Sequence, residues 1–307
     1  MAKPAPFFRG AFTAIVTPFT SDGEAVDFER LAEQIRFQAE GGVAGIVPCG
    51  TTGESPTLSD DEHRQVIETA IEVGRPLGLK IIAGCGSNNT QHAIELQRFA
   101  HKAGADAALQ VNPYYNKPSQ EGLYQHFMAI ADSCDLPICL YNIPGRTGVA
   151  LSPETVERLA RHPNIQAIKE ATGSLDSASE IVNRTGRGEK LALLSGDDSL
   201  TLPFASVGGI GVVSVVSNIE PKKISALCSA FNAGKFDEAR RLHFDLLPLS
   251  RGLLSIDTNP IPVKTAMALL ARDSGTLRLP MCPPSKAARE VIEKLLVSAG
   301  MLAMARR

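Results

Sequence analysis

The stretch Pro137-Ile-Cys-Leu-Tyr141, with Ser152-Pro-Glu154 and Ile165-Gln-Ala-Ile-Lys169 after it, decides the fold. Each of the two apolar runs is too short for a typical helix. Between them, proline stands where a first helical residue belongs, a position at which its missing N–H costs little. The stretch therefore reads strand, helix, strand. The same alternation extends outward to both ends, giving candidate strands at 11–17, 43–49, 79–84, 106–111, 137–141, 165–169, 191–195 and 211–215. Several are apolar on both faces, as strands covered by helices are. Between strands the period lengthens: within 27–40, Phe28, Leu31, Ala32, Ile35 and Ala39 recur at helical spacing, and Ser59-Asp-Asp-Glu62 forms a capping box. Eight βα alternations with short loops predict an α/β fold, a closed parallel (β/α)8 TIM barrel over residues 1–232. An open doubly wound sheet is the other arrangement, but no GxGxxG or GxxxxGK[ST] follows any strand. Residues 233–307 read as about three helices without strands, predicted to form a C-terminal extension packed on the barrel.

Composition narrows the function. The chain has 307 residues, 44% of them hydrophobic, and a formal net charge of −2, which leaves no electrostatic footprint for nucleic acid. No apolar run approaches the roughly 18 residues that span a bilayer, and the start lacks the apolar core of a secretory signal. A soluble cytoplasmic protein, with no nucleic-acid or membrane partner, is the expectation. Six scattered cysteines without a CxxC pair read as reduced core or site-lining thiols, and the six histidines show no metal-ligand spacing, so neither a metal nor a cofactor is expected.

In such a barrel the chemistry sits at the carboxyl ends of the strands. Alternation along the sixth strand puts Ile165, Ala167 and Lys169 on one face. With Ala167 facing inward, Lys169 points into the barrel mouth, and loss of hydration there favours the neutral, nucleophilic amine. A snorkelling strand-end lysine fits the same spacing. Tyr141 ends the fifth strand at the equivalent position, so a phenol beside the amine is available to shuttle protons; a core-edge tyrosine with a wet hydroxyl fits equally. Arg146, on the next loop, suits a carboxylate but also plain solvent. Gly50-Thr-Thr-Gly-Glu54 after the second strand reads as an anion-cradling turn or an ordinary one, and Asp198 in Ser195-Gly-Asp-Asp198 reads as a helix N-cap. Gly208-Gly-Ile-Gly211 stands where many barrels bind phosphate, without a basic residue to support it.

GTTGES (50–55), NPYYNKPSQEGLYQHF (112–127), YNIPGRTG (141–148), IKEATG (168–173), LLSGDD (193–198) and NPIPVK (259–264) together resemble the dihydrodipicolinate synthase family, in order and over essentially the whole chain. That family belongs to the pyruvate-dependent Schiff-base aldolases and lyases grouped with N-acetylneuraminate lyase. The resemblance implies condensation of pyruvate with aspartate 4-semialdehyde to 4-hydroxy-tetrahydrodipicolinate, the entry to diaminopimelate and lysine, in a homotetramer built as a dimer of dimers. It implies roles as well. Lys169 is the Schiff-base lysine and Tyr141 the proton donor and acceptor. Thr51 and Tyr115 join Tyr141 in a hydroxyl relay, with Tyr115 coming from the neighbouring subunit. Thr52 contacts the pyruvate carboxylate, Val213 lines the pyruvate site, Gly196 is a further substrate-binding residue, and Arg146 receives the semialdehyde carboxylate. Sugar-acid aldolases of the superfamily would share Lys169 and Tyr141; Arg146 and the paired tyrosines favour the synthase. A catalytically silent barrel and a metal-dependent aldolase are the readings from other classes. Some family members are inhibited by lysine near the segments matching 56–63, 86–92 and Tyr114. This chain keeps His63, Asn88 and Tyr114 but has Asp60 in place of a histidine and His92 in place of a glutamate, so weak or absent inhibition is expected.

Overall fold

All eight apolar runs become strands of one closed parallel barrel. The computed structural model describes residues 7–303. In chain order the barrel comprises β1 (Gly10–Ala14), α1 (Phe28–Glu40), β2 (Gly45–Val47), α2 (Asp60–Gly74), β3 (Lys80–Gly84), α3 (Thr90–Ala103), β4 (Ala107–Val111) and α4 (Gln120–Ala131). There follow β5 (Ile138–Asn142), the short α5 (Pro144–Thr147), α6 (Pro153–Leu159), β6 (Ile165–Glu170), α7 (Leu175–Arg184), β7 (Ala192–Ser195), α8 (Thr201–Ser206) and β8 (Gly211–Ser214). Each strand pairs with its neighbour in sequence, and β8 closes the ring on β1, Phe12 lying opposite Val213. The helix α9 (Pro221–Asn232) leads to α10 (Phe236–Ser255), α11 (Ile261–Leu269) and α12 (Lys286–Ser298).

The local start signals act as their chemistry dictates. Asp27 caps α1 by accepting from the Arg30 N–H, Ser152 caps α6, and at α2 both halves of the Ser59–Glu62 capping box form, at 3.2 and 2.9 Å. Six of the eight strands come out shorter than the apolar runs, because burial continues past the hydrogen-bonded ladder; β5 keeps its length and β6 gains Glu170. The second spans only Gly45–Val47, and Cys49 beyond it has a left-handed φ of 55°.

Side chains sort into an inner and an outer layer. Phe12, Ala14, Val47, Ile82, Leu109, Cys139, Ala167, Leu194 and Val213 fill the barrel interior as one cluster. Outside, Ile138, Leu140, Ile165 and Ile168 pack with residues of α4, α6 and α7. This corrects the simple alternation expected of β6: Ile165 shares the outer layer with Ile168, not the inner layer with Ala167. The register explains it. Ile138 pairs with Ile165 but Cys139 with Ala167, so the extra residue Gln166 makes a bulge that turns the strand over. Beyond the bulge the alternation resumes, and Lys169 follows Ala167 on the inner face.

Two further expectations change. Asp198 does not cap a helix with its side chain. Its buried carboxylate accepts from the Ser214 hydroxyl and from the N–H groups of Val215 and Val216, at 2.9 and 3.1 Å, and so fastens the end of β8. The glycine at 211 is required by backbone approach: a Cβ there would lie 2.1 Å from the Gly10 carbonyl oxygen. Close packing of β8 on β1 accounts for that glycine. The cysteines are all unpaired, four of them buried; Cys282 is exposed and belongs to neither core nor site. Among the described residues, no helix is long and apolar enough to cross a membrane.

Candidate active site

At the carboxyl end of the barrel, Lys169 and Tyr141 face one another across the β5–β6 register. The Lys169 Nζ lies 4.0 Å from the centroid of the Tyr141 ring, and each residue is only 5% exposed. The ring face offers the Lys169 ammonium an electrostatic partner without using up a hydrogen bond, so its protons stay free; the lone pair that attacks a carbonyl appears only once one of them is lost. The carboxyls around the pair are held high by burial. Glu170 points outward, accepting from the Thr172 N–H at 2.8 Å and the Asn142 amide at 2.9 Å; burial raises its pKa while these bonds lower it. Burial likewise raises Asp197, against the opposing pull of the Lys169 ammonium. Beneath Lys169, the Cys139 thiol is pushed up to about 12 by burial, which leaves it protonated and unreactive.

A cleft of about 460 Å³ opens beside Tyr141, which lines it together with Thr51 and Arg146; Lys169 is not itself among the lining residues and reaches the cleft's edge only through the Tyr141 ring it faces. Val213 sits buried on the inner face of β8, next to Phe12. Gly196 turns off β7 with its N–H donating to the Glu170 carbonyl at 2.8 Å; a Cβ there would come within 2.5 Å of the Ala171 Cβ. Thr52 is buried beneath Thr51 and accepts a hydrogen bond from the Asn259 amide at 3.0 Å. Tyr115 stands apart. It is 90% exposed, has a left-handed φ of 73°, and is not among the residues lining the cleft, although Tyr114 is. The side chains of Asn88 and Asn116 fasten this turn, to the Tyr114 and Asn88 carbonyls respectively.

The same cleft continues past Asp60, His63, His92 and Tyr114, so the segments flagged for lysine adjoin the segments flagged for catalysis. His63 donates through Nε2–H to the Gly84 carbonyl at 2.8 Å, and burial lowers its pKa. His92 lies 3.9 Å from Glu95, a carboxylate half out in solvent.

Residues beyond the barrel proper hold the threonine turn, and sequence reasoning did not find them. Glu54, with φ of 51°, meets Lys264 of α11 at 2.7 Å, and Lys264 also donates to the Thr17 carbonyl at 2.9 Å. The Lys264 residue is wholly buried, with its ammonium 4.3 Å from the centroid of the Phe19 ring. The other Glu54 oxygen accepts from the Arg278 N–H at 3.2 Å, and the Arg278 guanidinium forks onto Glu62 at 2.7 and 2.8 Å. Arg146, for its part, donates to the backbone carbonyl of Asn259 at 3.1 Å. The signal was present: Lys264 is the one charge in a segment, 261–267, that is buried throughout.

The family model of the dihydrodipicolinate synthetase family matches residues 7–299. A 4-hydroxy-tetrahydrodipicolinate synthase of Nitratidesulfovibrio vulgaris (strain DP4) is 52% identical over 298 residues, covering 96% of this chain and 99% of that protein. Among solved structures, the chloride-inhibited dihydrodipicolinate synthase of Acinetobacter baumannii complexed with pyruvate is 43% identical with a TM-score of 0.92, over 96% of this chain and 100% of that one. A monomeric dihydrodipicolinate synthase variant is 41% identical with a TM-score of 0.92, over 96% and 98%. With the barrel, the strand-end lysine and a match over nearly its full length, the chain belongs to the dihydrodipicolinate synthetase family.

Proposed function

We propose that this chain condenses pyruvate with aspartate 4-semialdehyde through an imine on Lys169. The observation that carries the reading is the Lys169 amine, on the inner face of the barrel mouth and over the ring of Tyr141, which with Thr51 and Arg146 lines the adjoining cleft. The amine attacks the ketone carbon of pyruvate and water leaves, giving the imine. Loss of a proton from the methyl carbon gives an enamine, whose carbon bonds to the aldehyde of the semialdehyde. The semialdehyde's own amine then attacks the imine carbon and displaces Lys169, closing the ring of 4-hydroxy-tetrahydrodipicolinate. Tyr141 carries protons to and from the nitrogen and oxygen that change charge, with Thr51 as its partner. Thr52, Gly196 and Val213 seat pyruvate. The structure of a relative with pyruvate bound supports this choice of substrate. Purified protein assayed with both substrates, coupled to a reductase that consumes the product, tests the reading; no turnover above background overturns it.

Arg146 is the group proposed to receive the semialdehyde carboxylate. Arg146→Ala is expected to leave borohydride trapping of pyruvate largely intact, because the imine forms without the second substrate. Turnover falls by roughly 10- to 100-fold, the loss of one charge-assisted contact. Equal loss of trapping and turnover would show that Arg146 supports the fold.

Tyr115 is proposed to act in a neighbouring subunit's relay, within a dimer of dimers. Its near-complete exposure in one chain and its strained turn support this, since strain of this kind persists where the residue is needed in one pose. Feedback by lysine is proposed to be weak. His92 replaces an anion, and the carboxylate beside it, Glu95, lies half in solvent, where a charge pair gains little. A lysine titration is expected to give half-inhibition above about 1 mM, a binding free energy no better than about −4 kcal/mol. Half-inhibition below that concentration would refute it.

A further inference from the structure

Thr52 and Arg146, the groups proposed for the two substrates' carboxylates, both lean on one residue outside the barrel. Asn259 is 8% exposed; its Nδ2 donates to the Thr52 hydroxyl oxygen at 3.0 Å, and its backbone carbonyl accepts from Arg146 Nη2 at 3.1 Å. Its Oδ1 is buried without a hydrogen-bond partner. A hydroxyl has one proton to give and two lone pairs to accept with. While the amide N–H occupies a lone pair of Thr52, the threonine's own proton is kept off Asn259 and stays free to donate. Reversing the amide would end this, because Oδ1 would then draw the Thr52 proton to itself. Leaving a buried acceptor unpaired costs free energy, so the arrangement serves something other than the amide's own hydrogen bonding.

We infer that Asn259 is a positioning residue that sets the Thr52 hydroxyl as a hydrogen-bond donor toward the pyruvate carboxylate. Its side chain thereby tunes pyruvate binding, and its backbone separately anchors Arg146. This rests on the proposed function, in which Thr52 touches pyruvate. The division between side chain and backbone makes the consequence specific: changing the side chain alters the pyruvate site and leaves the Arg146 anchor in place.

The test compares Asn259→Asp with Asn259→Ala in the full-length protein. Aspartate is nearly isosteric but has no N–H to give; its carboxylate takes the Thr52 proton and adds a negative charge facing the substrate's. The concentration of pyruvate giving half-maximal turnover is expected to rise roughly 10- to 100-fold in Asn259→Asp and less in Asn259→Ala, with the half-saturating semialdehyde concentration little changed in either. Thr52→Val, which keeps the volume and removes the hydroxyl, is expected to raise the pyruvate value similarly, and adding Asn259→Ala to it, which removes the same contact from the other side, should add little. A merely structural asparagine predicts the reverse order, with the near-isosteric aspartate milder than alanine, and joint loss of both substrates as Arg146 comes free. That order, a joint loss or an unchanged pyruvate value overturns the inference. Borohydride trapping of pyruvate by the wild-type protein separates the two ideas: trapping with an unaffected Asn259→Asp sinks only the role of Asn259, whereas absence of trapping sinks the proposed function itself.

Discussion

Lys169→Ala is expected to lower turnover by on the order of 10⁴- to 10⁶-fold, the scale on which removal of a covalent nucleophile acts. Borohydride with pyruvate should place one reduced pyruvyl unit on Lys169 of the wild-type chain and none on the variant, read by intact-mass spectrometry and peptide mapping. Lys169→Arg sharpens the point. It keeps a cation above the Tyr141 ring but cannot deprotonate to form an imine, so it should be as inactive as the alanine variant. An active arginine variant, or an adduct on another lysine, would mean that Lys169 acts by charge alone. The same variant serves the subunit question. Mixed dimers of inactive Tyr115→Phe and Lys169→Ala chains contain one site with neither lesion if Tyr115 acts in trans, and should regain part of the activity. Verified mixed dimers without recovery would exclude the trans arrangement.

Lys264→Met is expected to destabilise the protein by about 3–5 kcal/mol, because it leaves the buried Glu54 carboxylate without its countercharge, held only by the Arg278 N–H. In a chain of 307 residues that corresponds to a fall in the unfolding midpoint of roughly 5–10 °C. The double variant Glu54→Gln/Lys264→Met should recover much of the loss. It removes the stranded charge, fills the volume, and keeps an acceptor for the Arg278 N–H. Differential scanning calorimetry of the three proteins decides the matter. A double variant as unstable as Lys264→Met would show that packing around Phe19, not charge pairing, sets the cost. Since Glu54 ends the turn that carries Thr51 and Thr52, the single variant should also lose activity at temperatures well below its midpoint.

The pairings behind these predictions show where local reading stops. Within β6, a two-residue alternation was enough to send Lys169 inward, because the last part of the strand obeys it. It failed at Ile165, where the bulge opposite Ile138 and Cys139 is set by how β5 and β6 meet and not by either strand alone. Asp198 looked like a cap because acidic residues next to helices usually are. Its carboxylate is spent on Ser214 and the amides at 215 and 216, partners that the closing of β7 against β8 supplies.

By itself the sequence determined the alternation of strands and helices, the capping box of α2, the proline start of α6, and the strand-end placement of Lys169 and Tyr141. Those features depend on periodicity and on hydrogen bonds a few residues long, which a short window contains. Tertiary structure alone decided what holds the site in shape. Glu54 and Lys264 are 210 residues apart, Thr52 and Asn259 are 207 apart, and Arg146 and Asn259 are 113 apart. No local pattern names such partners, because a buried charge or amide is satisfied by whatever the closed barrel and the returning C-terminal helices bring beside it. The exposure of Tyr115 has the same origin: its turn is fastened through Asn88 and Asn116, and which way the ring then faces is a property of the assembled loops.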